Sequence, residues 1–246
     1  NEVTVKEVYK NGSLVAKDGQ CLAPHKHFDC VYDKVFHSFH MAPVKETDFY
    51  MTLSDDTQKV ICLTPGELLT KLLTVKRQQL DGFPSGVNPE ADIIKLAVLE
   101  RHKNTGHRGI GFLKGYGLKQ GAVAASIAHD SHNLIVAGVT DVDMAVAAEA
   151  VRQAGGGIAV AGHGEVLGIL PLPIGGLMTN ETAKAVDEKL ETLKKLARTM
   201  GVYDSIDPFM TLSFVSLPVI PMVRLNTRGL IDTAAQKIIE EGNYET

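Results

Sequence analysis

Hydrophobic positions are weakly ordered in the first third of the chain and sharply ordered after it. Residues 93–99, 109–116, 123–128 and 134–139 are short, nearly unbroken apolar runs bounded by glycine or polar clusters. Such runs predict strands buried on both faces. The period then changes. Met144, Ala147, Ala148 and Val151 recur at helical spacing, behind Thr140 with Asp143 three residues on, close to a capping box, and ahead of Gly155-Gly156-Gly157. That predicts a capped helix with one apolar face and a glycine stop. Residues 158–161 and 165–170, joined by Gly162-His163-Gly164, predict a hairpin. A second helix is expected from near Asn180 to Gly201, with Ala183, Val186, Leu190, Leu193, Ala197 and Met200 as its apolar stripe. Residues 209–220 are apolar but hold Pro218 ahead of Pro221, which predicts a loop with a short edge strand. A last helix is expected from about Thr233 to Glu240.

The first third reads differently. Val3, Val5 and Val8, the turn Asn11-Gly12, residues 14–16 and Asp18-Gly19 predict a small β unit, expected to complete a sheet built elsewhere. Residues 21–56 are irregular and rich in His, Pro and Asp; residues 57–75 fit strand or helix. Gly82, Pro84, Gly86 and Pro89 mark a loop or linker over 81–89. Several buried strands packed with two or three helices give an α+β or mixed α/β fold. The helices are too few for a complete TIM barrel, which takes eight over roughly 250 residues.

Composition narrows the function. Net charge is −4 with no Lys/Arg block, so no nucleic-acid footprint is expected. No apolar run is long enough to span a bilayer, so no membrane partner is expected either. Cys21, Cys30 and Cys62 are odd in number and form no C-x-x-C, which fits a reduced, cytoplasmic protein. A start at Asn1 instead of Met hints at a piece of something longer.

Two clusters hold candidate chemistry. Pro24-His25-Lys26-His27 has the alternation with which two imidazoles on a strand grip one ion. Its surroundings, with Asp29, His37 and His40 close behind in irregular sequence, favour a surface loop. Ala128-His129-Asp130-Ser131-His132-Asn133 is more telling, because five polar side chains sit between two buried strands. Polar groups so placed carry a desolvation penalty unless paired. His129, Asp130 and His132 are candidate metal ligands; a polar turn satisfying its own backbone is the plainer alternative. Neither H-x-E with a later P-C-x-x-C nor a phosphate-binding loop lysine motif occurs.

In order along residues 92–232, several strings resemble the C-terminal domain of bacterial-type adenine deaminases of the amidohydrolase superfamily. They are the strand ending Glu100-Arg101-His102-Lys103, Gly115-Tyr116-Gly117-Leu118, Ser126-Ile127 through Asn133, Gly155-Gly156-Gly157, Leu172-Pro173-Ile174-Gly175-Gly176-Leu177-Met178, Pro208-Phe209-Met210-Thr211-Leu212-Ser213-Phe214 and Leu217-Pro218-Val219-Ile220-Pro221. The resemblance implies three parts. Residues 1–22 would end a small β domain that follows a barrel, 23–91 would connect, and 92–246 would form the C-terminal domain. It implies hydrolysis of adenine to hypoxanthine and ammonia, a purine-salvage reaction, by a hydroxide on a divalent metal (manganese, iron or zinc). The metal would be held mostly by an N-terminal amidohydrolase barrel that is missing here, so the chain alone would be inactive. On this reading His129, Asp130, Ser131, His132 and Asn133, with Glu100, Arg101 and His102, border or cap the active site or hold an extra metal ion. Adenine, the barrel and a second copy in a homo-oligomer are the implied partners. A stand-alone metal or small-ligand module and a structural oligomerisation domain are the alternatives.

Overall fold

The computed structural model describes residues 3–24, 33–53, 55–80 and 86–241, the side chains of 240 and 241 excepted. The chain forms two compact units, Asn1–Tyr32 and Asp33–Thr246. In the first, β1 (Glu7–Lys10), β2 (Ser13–Lys17) and β3 (Gln20–Cys21) make a three-stranded antiparallel sheet. Asn11 and Gly12 both take positive φ, as do Asp18 and Gly19, so both predicted turns form. This hairpin was expected to complete a sheet built elsewhere; among the described residues it pairs only within itself.

The second unit opens with the single turn α1 (Asp33–Phe36). Then come β4 (Thr57–Leu63), β5 (Thr70–Lys76), β6 (Ile93–Leu99), β7 (Arg108–Lys114), β8 (Ala122–Ala125) and β9 (Leu134–Gly138). They are followed by α2 (Asp141–Gln153), β10 (Gly157–Gly162), β11 (Glu165–Pro171), α3 (Ala183–Thr199) and α4 (Pro208–Val215). The chain closes with β12 (Val223–Asn226), β13 (Gly229–Asp232) and β14 (Lys237–Glu241). Strands β4 to β11 form one open sheet in the order β11-β10-β8-β9-β6-β7-β4-β5, so no barrel closes. Every neighbouring pair in it is antiparallel except β4 with β7.

The apolar runs are explained by two cores. Along β6, Ile94, Leu96 and Val98 join a core with Phe209 and Leu212 of α4 and Leu225 of β12. Ile93, Ala97 and Leu99 point the other way, into a core with Met144, Ala147, Ala148 and Val151 of α2. The inner strands β6, β8, β9 and β10 are therefore covered on both faces and buried at every position, which demands apolar or small residues throughout, whereas the edge strands β5 and β11 are largely exposed. Lys95 is the exception. It faces the α2 side fully buried, where its Nζ donates to Asp141 Oδ1 at 2.5 Å and Phe49 O at 2.7 Å.

Helix α2 starts as predicted, with Thr140 Oγ1 accepting from Asp143 N. Helix α3 is capped in the same way by Thr182. Residues 57–75, ambiguous in the sequence, are the β4–β5 hairpin. Two expectations fail. Residues 209–220 were expected to be loop and edge strand, yet most of them form α4, because Asp207 caps it through Phe209 N and Met210 N and Pro208 occupies its first turn. The helix expected from Thr233 to Glu240 is instead a turn and strand β14, paired to β13. Apolar residues recur there at too few positions to separate the two periods. Residues 81–85 of the expected linker lie outside the described residues.

Candidate functional site

Three loops converge at one end of the large sheet. Leu99 of β6 pairs with Leu134 of β9, so the connection after β6 (100–107) and the connection before β9 (126–133) emerge side by side. The segment after β11 (172–178) joins them through Arg101 and Ser126, whose Oγ donates to Gly176 O at 2.5 Å.

Arg101 organises the cluster. Only 2% of it is exposed. Its Nε donates to His132 O, its Nη1 to Gly175 O at 3.2 Å, and its backbone N–H to Asn133 Oδ1 at 3.4 Å. The guanidinium carbon stands 4.9 Å from the centre of the Phe39 ring, a cation–π distance. Gly176 has φ +74 and no room for a side chain: a Cβ there would come within 2.6 Å of Arg101 Nη1. Burial lowers the Arg101 pKa to about 10, against the opposing charge of Glu100.

Glu100 shapes the loop that carries His102. Its carboxylate accepts from the backbone N–H groups of His102 and Lys103 and from both N–H and hydroxyl of Thr105. Burial pushes its pKa up, but these hydrogen bonds outweigh it and leave the group below the usual carboxylate range. His102 then reaches across, with Nε2 2.7 Å from Ser131 O; a carbonyl only accepts, so Nε2 carries the proton.

His132 sits at φ +51, a left-handed conformation that a non-glycine residue keeps only when its surroundings fix it. Its N–H donates to Ala128 O at 2.6 Å while Arg101 holds its carbonyl. Helix α4 supports the other side. His129 N donates to Ser213 O at 2.9 Å, and the His129 ring centroid lies 4.9 Å from that of Phe214 and 5.5 Å from that of His132. His132 Nδ1 is buried without a partner. Burial first, then His129 and Arg101, hold the His132 imidazole below its ordinary range, with Asp130 opposing. Asp130 and Ser131 are exposed, and Asn133 is buried.

The fold thus brings all eight expected residues into one cluster. His129 and His132 supply two imidazoles; among the described residues no three His, Cys, Asp or Glu side chains stand together as a metal site. The residues here therefore do not make a metal centre unaided. His25 and His27 lie outside the described residues, and His37 and His40 are exposed. Sequence reasoning missed Phe39, Ser213 and Phe214 as supports. A cavity of about 530 Å3, lined in part by Lys119, Thr140, Asp143 and His163, is at the far end of β8, β9 and β10 and belongs to none of this.

The family model described as adenine deaminase C-terminal domain matches residues 67–237. Adenine deaminase 2 of Carboxydothermus hydrogenoformans is 41% identical over 97% of this chain and 41% of its own length. Adenine deaminase of Nitratidesulfovibrio vulgaris is 43% identical over 93% of the chain and 39% of its own length. The Bacillus pumilus adenine deaminase is 38% identical over 94% and 40%. The chain spans about two fifths of the length of these curated relatives.

Proposed function

The chain belongs to the adenine deaminase C-terminal domain family, and from that premise we propose that it is the part of a purine-hydrolysing enzyme that walls one side of the active site. The reaction is adenine plus water to hypoxanthine plus ammonia. The observation that carries this reading is the near-complete match of the chain to two fifths of proteins named adenine deaminase, with a hydrogen-bonded polar loop set among apolar strands.

On this account the remaining three fifths supply the barrel and the divalent metal, manganese, iron or zinc, which activates water when bound. The residues of this chain position and shield. Arg101 and Gly176 fix the backbone of 132–133, and Phe214 fixes the His129 ring. His129, Asp130 and His132 then present polar edges where the purine is held, while the buried strands behind them exclude water. His129 and His132 could also join a donor from the barrel in holding a further ion. The enzyme is proposed to work in the cytoplasm as a homo-oligomer. Among the described residues no helix is long and apolar enough to cross a membrane.

The test uses the intact protein that carries this chain. His129→Ala and His132→Ala are expected to lower kcat/KM for adenine by at least about tenfold, roughly 1.4 kcal/mol of transition-state stabilisation. Unchanged turnover in both would leave the loop a structural turn.

A further inference from the structure

Four large apolar side chains around helix α4 are left in solvent: Leu68 is 55% exposed, Met210 54%, Val219 72% and Met222 53%. Three segments bring them together. Helix α4 buries Phe209, Leu212 and Val215 and leaves Met210, Thr211 and Phe214 at least partly exposed along another side. Those three line one cavity of about 190 Å3 with Leu68 of the β4–β5 connection. The backbone at Leu68 then meets the segment after α4. Arg224 Nη2 donates to Leu68 O at 2.6 Å and to Pro221 O at 3.0 Å, and Thr70 N donates to Pro221 O at 3.4 Å. Met222 follows Pro221, and Val219 lies on the same segment.

This group is continuous with the His129 loop. The Phe214 and His129 ring centroids are 4.9 Å apart. The segment that carries Val219 starts at Ser216, whose Oγ donates to His129 O at 3.4 Å. Apolar residues exposed singly are ordinary, but neighbours exposed together mark a surface that another protein surface covers. Val142 and Leu167 are exposed too, but they line the cavity at the opposite end of the sheet. The chain spans about two fifths of its relatives' length, which leaves three fifths to supply a cover.

We propose that Leu68, Met210, Val219 and Met222 form the surface on which the part of the enzyme outside this chain docks, and that this part meets them with an apolar face. The proposal rests on the reading of the His129 loop as one wall of the active site. Whatever completes that site approaches beside Phe214, where the exposed apolar group lies. Removing these side chains from water favours the docking in proportion to the apolar area covered. A second copy of this chain would bring the same described residues, which hold no metal cluster, so it would cover the patch without completing the site.

The experiment uses the intact protein that carries this chain, and its probes are the methionines themselves. Dilute hydrogen peroxide converts each accessible thioether to the sulfoxide, and mass spectrometry reads the rate residue by residue. Met210 and Met222 are expected to react at least about tenfold more slowly than in the unfolded protein, close to the buried Met144 and Met200. Protein grown with a diazirine analogue of methionine is then irradiated, and Met210 and Met222 are expected to cross-link to peptides outside residues 1–246. The proposal is overturned if both methionines oxidise at the unfolded rate, or if their cross-links are absent or fall only within residues 1–246, a second copy included. Neither readout uses turnover. Protected methionines beside unchanged turnover in the His129 and His132 variants would sink the active-site reading and keep the docking surface; exposed methionines beside the expected loss of turnover would do the reverse.

Discussion

At the scale of single residues the site depends on Arg101 more than on the histidines it positions. Its fork reaches two backbone carbonyls on different loops, a geometry that a lysine point charge does not reproduce. Arg101→Met removes both charge-assisted hydrogen bonds, at roughly 1.5–3 kcal/mol each where buried and less where solvent reaches the carbonyls; urea unfolding should show a loss of about 2 kcal/mol or more, and Arg101→Lys should recover little of it. Gly176→Ala should also lower the unfolding midpoint, because the new methyl meets Arg101 Nη1 and the positive φ disfavours it. The pH dependence follows from His132. Its folded pKa lies below its unfolded value of about 6.5, so the folded loop binds fewer protons, and its stability is present above that value and lost as pH falls through it. Hydrogen-exchange protection of residues 129–133, corrected for the intrinsic rate at each pH, should therefore fall between about pH 7 and pH 5, and His132→Gln should remove that dependence. The His129 to Asn133 cluster was readable in the sequence because five polar residues interrupt apolar runs. What holds it was not, since Gly175 and Phe39 reach Arg101 only through the fold.

At the scale of elements, the strands from β6 to β10 and helices α2 and α3 follow from apolar runs, caps and glycine stops. The errors fall where pattern is silent. Helix α4 is nearly all apolar, so no face marks it, and its start lies in one residue, Asp207. Asp207 accepts from Phe209 N and Met210 N and pairs with Lys194 Nζ at 3.0 Å. Asp207→Ala should destabilise the protein by about 1 kcal/mol through the lost cap. Because α4 carries Ser213 and Phe214, the same variant should loosen His129, seen as a shifted and broadened imidazole resonance. Lys95 interrupts β6 for a reason equally hidden in sequence: its partner Asp141 belongs to α2. Removing one member strands the other, so Lys95→Met should cost roughly 3–5 kcal/mol, and adding Asp141→Leu should restore much of it. Urea unfolding of the single and double variants checks both figures.

At the scale of the whole molecule, a sheet buried on both faces presents one set of joined loops, held by side chains from four parts of the chain. On the proposed function, that hydrogen-bonded polar edge would border a site completed by residues outside this chain. If the proposed function holds, this chain by itself should not deaminate adenine. The central claim, that the loop from His129 to Asn133 walls the active site, is tested most directly by kcat/KM for adenine in the intact protein, with His129→Ala and His132→Ala compared against wild type at matched thermal midpoints. The account predicts a loss of at least about tenfold in each variant with the fold intact. Wild-type kcat/KM in both, with the fold intact, would contradict it.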